Sequence, residues 1–86
     1  MEKSKRPKDR KNKLQEAFGK TLREKRLANG LSQEGLAELA NLHFTYVSSV
    51  ERGERNISLE NMAKLARALK CHIKDLVSNI DLTGAN

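Results

Sequence analysis

The chain has 86 residues, with 17 Lys and Arg against 11 Asp and Glu and a net charge of +6. That length allows one small domain with a modest core, since domains of ~55–65 residues often fold alone. No run of more than two consecutive apolar residues occurs, so neither a transmembrane helix nor a signal-peptide apolar segment is expected. The single cysteine, Cys71, excludes a disulfide scaffold and a Cys-based zinc site, and makes a reducing cytoplasm the expected compartment. Phe18, Phe44 and Tyr46 are too few aromatics for a base-stacking surface of the RNA-binding kind.

The charge is uneven. Residues 1–13 carry seven basic and two acidic side chains, a net of +5, while residues 14–86 are nearly neutral. The first segment has almost no apolar residue and contains Pro7, so it reads as a disordered basic arm ahead of a domain spanning 14–80. Residues 81–86 read as a flexible tail. The arm is either a strand of cations that lies along a polyanion or a passive solubilising tail.

The domain reads as all-α, with five helices. Leu14, Ala17, Phe18 and Leu22 recur at helical spacing, and Asn29-Gly30 ends this first helix. Ser32 suits an N-cap for a second helix carrying Leu36, Ala37, Leu39 and Ala40. Asn41 tolerates a left-handed turn conformation. A third helix runs from about 44 to 52, and Gly53 ends it. Ser58 caps a fourth, with Leu59, Met62, Ala63, Leu65, Ala66 and Leu69 inward. A fifth is expected over roughly 73–79. No stretch alternates as a strand does.

The informative stretch is 33–53, QEGLAELANLHFTYVSSVERG. Two short helices flank a turn of about three residues, the spacing of a helix-turn-helix (about 33–52) whose second helix enters the DNA major groove. Taking ~100° per residue, Val47 and Val50 fix the buried side of the third helix. Thr45 and Arg52 then lie almost opposite, Ser48 and Ser49 about 50° to either side, and Phe44 and Tyr46 on the flanks. Phe44, Thr45, Ser48 and Ser49 are the candidate base contacts. Short hydroxyls allow close approach and accept or donate, and Phe44 suits a thymine methyl. Taken alone, the two serines are equally ordinary surface residues. Tyr46, Arg52, Arg55 and Asn56 flank the helix and are candidate phosphate contacts. Tyr46 serves equally well as a packing residue, and the two arginines as solvated charges. Gln33 opens the second helix, where free N–H groups favour an anion.

The segments GLSQEGLAELA, YVSSVERGERNISLE and MAKLARALK resemble the phage repressor/Cro-like (Xre) family of helix-turn-helix transcriptional regulators, a resemblance that covers 18–77. It implies the compact lambda-repressor-like fold and sequence-specific binding of double-stranded DNA. It implies that Gln33 contacts the phosphate backbone. It also implies a structural ion pair between Arg26 of the first helix and Glu51 of the third. Phe44 departs from the family, which often has a polar or basic residue there. Gly35 stands where Glu or Ser is usual, and Asn41 replaces the usual turn glycine.

One recognition helix reads few base pairs, so a dimer on a palindromic site is expected. Ile73, Leu76, Val77 and Ile80, with Leu82, are more apolar residues than a short terminal helix needs for docking, and part of this set is the expected dimer interface. The alternative is that all of them pack on the fourth helix. His43 and His72 are too isolated for a metal site. No catalytic constellation, cofactor or small-molecule effector is expected. The leading reading is a cytoplasmic, nucleoid-associated transcriptional regulator, either a repressor or an autoregulatory controller. The competing one is a protein-interaction module on the same fold, an antitoxin or coactivator bound to a partner protein.

Overall fold

The computed structural model describes residues 12–82 and contains five helices: α1 (Lys13–Ala28), α2 (Gln33–Ala40), α3 (Phe44–Glu51), α4 (Leu59–Ala68) and α5 (Ile73–Val77). Among the described residues there is no strand. The expectations for most of the basic arm (1–11) and for the end of the tail (83–86) lie outside the described residues.

The helices begin where side chains satisfy free backbone N–H groups. The Asn12 carboxamide oxygen accepts from Leu14 N at 2.8 Å and Gln15 N at 3.2 Å. Asn12 and Lys13, assigned to the arm from composition, therefore open α1. Ser32 accepts from Gly35 N at 2.9 Å and Ser58 from Asn61 N at 3.1 Å. Asn41 closes α2 in the left-handed region at φ 58°. Lys70 adopts the same conformation after α4, at a residue type that gives no warning of it. The fifth helix ends at Val77, two residues short of expectation. Beyond it Asn79 turns back, and its Nδ2 donates to Thr21 Oγ1 of α1 at 3.2 Å.

Leu22, Leu36, Val47, Val50, Leu65 and Leu76 are essentially inaccessible and come from all five helices. Burying each contributes up to about 1.5–3 kcal/mol. Leu76 at 0% exposure belongs to this core and seats α5 on α1 and α4. It is thus withdrawn from the expected dimer interface, because a side chain enclosed by its own domain presents nothing to a partner.

Two glycines set how closely α3 approaches α1. A Cβ on Gly19 would lie 2.7 Å from the Glu51 carbonyl oxygen and would also meet that of Val50. Gly53 leaves α3 at φ +78°, and a Cβ there would lie 2.8 Å from Glu16 Cγ. At the C-terminal end of α3, backbone thus passes against backbone and then turns sharply beside α1.

Candidate nucleic-acid interface

Two elements, α1 and α2, hold α3 through one carboxylate, and the turn between them joins the same network. Glu51 accepts from Arg26 Nε at 2.6 Å and Arg26 Nη2 at 3.0 Å, a bidentate pair. It also accepts from Gln33 Nε2 at 2.9 Å, while Arg26 Nη1 donates to Leu31 O at 2.9 Å. The two charged side chains are 8% and 4% exposed. Hydrogen bonding to Glu51 pushes the Arg26 pKa up and outweighs the opposing effect of burial. One network therefore links α1, the turn after it, α2 and the last residue of α3.

Val47 and Val50 sit against the core, so the opposite side of α3 faces outward. Phe44 opens that face at 42% exposure. His43 caps the helix, its Nδ1 accepting from Thr45 N at 3.2 Å and standing 2.8 Å from Thr45 Oγ1. Thr45 is exposed, with its hydroxyl held near the cap. Ser48 is half-buried, with Oγ accepting from Arg52 Nη1.

Ser49 does not belong with them. It is 6% exposed, and its Oγ donates to Tyr46 O at 2.8 Å and accepts from Arg55 Nε at 3.0 Å. Its expected role as a base contact is corrected on that geometry. At about 50° from the outward direction a serine can fall on either side of the surface boundary. Here the segment after α3 folds back over it.

The expected phosphate contacts are spread around this face. Gln33 is half-buried at the start of α2, one amide hydrogen committed to Glu51 and the other available to an anion. Arg52 is exposed at the end of α3 and pairs with Glu54 Oε1 at 3.1 Å. Tyr46 is half-buried, its hydroxyl accepting from Asn61 Nδ2 of α4 at 3.1 Å. It is thereby tied into the fold as well as placed at the edge of the face. The Arg55 guanidinium carbon lies over the Tyr46 ring, 5.6 Å from its centroid. Asn56 is exposed beside it. Gly19, Asn61 and the His43 cap support this face and were not singled out for it in the sequence. A glycine inside the apolar period of α1 was the one available signal, since it costs about 1 kcal/mol of helix propensity against alanine.

Residues 22–76 match the helix-turn-helix model HTH_3. The chain belongs to the helix-turn-helix family. In it α2 and α3 are the two helices and residues 41–43 the turn. The control protein C.BamHI of Bacillus amyloliquefaciens is 45% identical over 67 residues, covering 77% of this chain and 83% of the relative. The crystal structure of the restriction-modification controller protein C.AhdI from Aeromonas hydrophila is similar with a TM-score of 0.71 and 53% identity, over 72% of this chain and 94% of that one. The biofilm-formation master regulator SinR, solved in complex with DNA, gives a TM-score of 0.67 at 30% identity, over 69% of this chain and 95% of that one.

His72 precedes α5, and its backbone N–H donates to Asp75 Oδ2 at 2.9 Å, which holds the Asp75 pKa below the usual carboxylate range. Burial pushes the Cys71 thiol pKa up. Among the described residues no group of three or more His, Cys, Asp or Glu side chains could hold a metal ion, and no helix is long and apolar enough to cross a membrane.

Proposed function

We propose that this helix-turn-helix protein is a sequence-specific DNA-binding transcriptional regulator of the controller type, acting as a dimer on a two-fold-symmetric operator. The observation that carries the reading is the clamping of α3 by Glu51 to Arg26 and Gln33, which holds the face bearing Phe44, Thr45 and Ser48 away from the core. A helix fixed in this way can enter the major groove with Phe44, Thr45 and Ser48 toward base edges. Gln33, Tyr46, Arg52, Arg55 and Asn56 then lie where the flanking phosphates run, setting register without carrying sequence information. The likeness to control protein C.BamHI and to the controller C.AhdI supports the controller role.

The dimer is supported by apolar surface left at the end of the chain. Ile73, Val77 and Ile80 are only half-buried, Leu82 is 74% exposed, and Leu14, Val77, Ile80 and Leu82 line one shallow depression. An isologous contact between two copies would cover it.

Selection of bound duplexes from a random DNA pool tests both parts. The expected result is one enriched motif with two symmetric half-sites about 34 Å apart, one helical turn. A lone asymmetric half-site would remove the dimer. No enrichment over random DNA would remove the regulator reading and favour the protein-interaction module.

A further inference from the structure

We infer that Ser49 is a positioning residue: it holds Arg55 in the conformation in which that arginine meets the DNA backbone, and so acts on affinity through Arg55. The inference deepens the proposed function and rests on it for its DNA half. A serine hydroxyl has one hydrogen and two lone pairs. The hydrogen of Ser49 is committed to Tyr46 O at 2.8 Å, so toward Arg55 Ser49 can only accept, and Arg55 Nε stands at 3.0 Å. The Arg55 guanidinium is held a second time, over the Tyr46 ring at 5.6 Å. That ring is in turn tethered, because Tyr46 OH accepts from Asn61 Nδ2 at 3.1 Å.

Arg55 is an exposed residue on the segment between α3 and α4, where a free arginine would sample many rotamers. Binding Nε to a buried acceptor and seating the cation over the Tyr46 ring fixes the inner end of the side chain. Neither contact takes up a hydrogen of the two terminal amino groups, which keep donors for a phosphate. Ser49 thereby converts a long flexible side chain into a preorganised one. The ordering entropy is met on folding and is not charged against binding.

The test has two arms. In the free protein, the Arg55 Nε–H resonance should be resolved and slow to exchange, and Ser49→Ala should broaden it or abolish it while the folded spectrum persists. In binding, Ser49→Ala should weaken the selected duplex and a random duplex by the same factor, about five-fold for one hydrogen bond of ordinary net strength. In an Arg55→Ala background the same change should have no effect. Arg55→Lys, which keeps the charge and removes Nε, should also make Ser49→Ala silent. Three results would overturn the inference: an unchanged Arg55 Nε–H signal in Ser49→Ala, a fall in melting temperature with affinity intact, or an altered base preference that persists without Arg55. Wild-type protein that binds no duplex would instead overturn the proposed function. The resonance arm would still report on Ser49 and Arg55.

Discussion

Glu51→Gln is expected to destabilise the protein by about 3 kcal/mol, within the range for breaking a buried pair from one side. For a domain of this size that is a fall in Tm of roughly 12–24 °C, read by circular dichroism. The reason is desolvation. Arg26 and Glu51 are both nearly inaccessible, and the guanidinium left without its carboxylate keeps only Leu31 O as a full-strength acceptor. The pair itself need not be a large net gain, because taking two charges out of water offsets most of their attraction. Replacing both by apolar residues, Arg26→Met with Glu51→Leu, should therefore recover much of the stability lost in the single variant. DNA affinity should not recover with it. Gln33 also donates to Glu51, so the double variant frees both the end of α3 and the side chain that opens α2. A Glu51→Gln protein that melts within a few degrees of wild type would contradict the role given to this network.

Gly19→Ala carries the second large effect, and there two principles disagree on the sign. Helix propensity favours alanine over glycine by about 1 kcal/mol in a helix interior. Against that stands the approach of α1 to the last turn of α3, where the new Cβ would meet the carbonyl oxygens of Val50 and Glu51. Main-chain atoms cannot turn aside as a flexible side chain can, so relief requires moving α3. Overpacking costs about 1–3 kcal/mol even where side chains can yield. A net loss of more than about 1 kcal/mol is expected, together with weaker operator binding, since α3 is the element that must shift. A chemical denaturation series measures the first and a titration of labelled duplex the second. A stabilised Gly19→Ala protein would mean that the two helices are less tightly apposed than their backbones indicate.

Much of this architecture is legible in the residues, because local chemistry decides it. Ser32, Ser58, Asn41 and Gly53 each do at a helix end what their side chains or backbone freedom allow. The apolar period of α3 gives its buried side through Val47 and Val50 without any tertiary information. What periodicity cannot see is the chain that folds back. Ser49 lies near the boundary of the outward arc, and only the later placement of Arg55 turns it inward. Leu76 shows the same limit at the other end of the domain. An apolar stripe on a five-residue helix does not say whether each residue meets its own core or a partner's. Here Leu76 is enclosed while Val77 and Ile80 remain partly open. The left-handed Lys70 closes α4 as Gly or Asn usually does, with Cys71 N–H donating to Ala66 O at 2.9 Å and Lys70 N–H to Arg67 O at 3.1 Å, but a lysine does not announce such a cap.

The charge distribution has a related consequence. Beyond residue 13 the chain is nearly neutral, and the first two turns of α3 carry no lysine or arginine. The proposed base contacts are thus a phenyl ring, a threonine and a serine, with arginines only at and after the end of the helix. This is the central claim, and repeating the selection from random DNA with Phe44→Arg tests it most directly. Phe44 is exposed, so the substitution leaves the core and the Glu51 network in place. Arginine at that position can bond guanine O6 and N7, whereas phenylalanine favours a thymine methyl. The expected result is a motif changed at one position in each half-site, with guanine replacing thymine and the remaining positions retained. An unchanged motif would contradict readout by the outward face of α3.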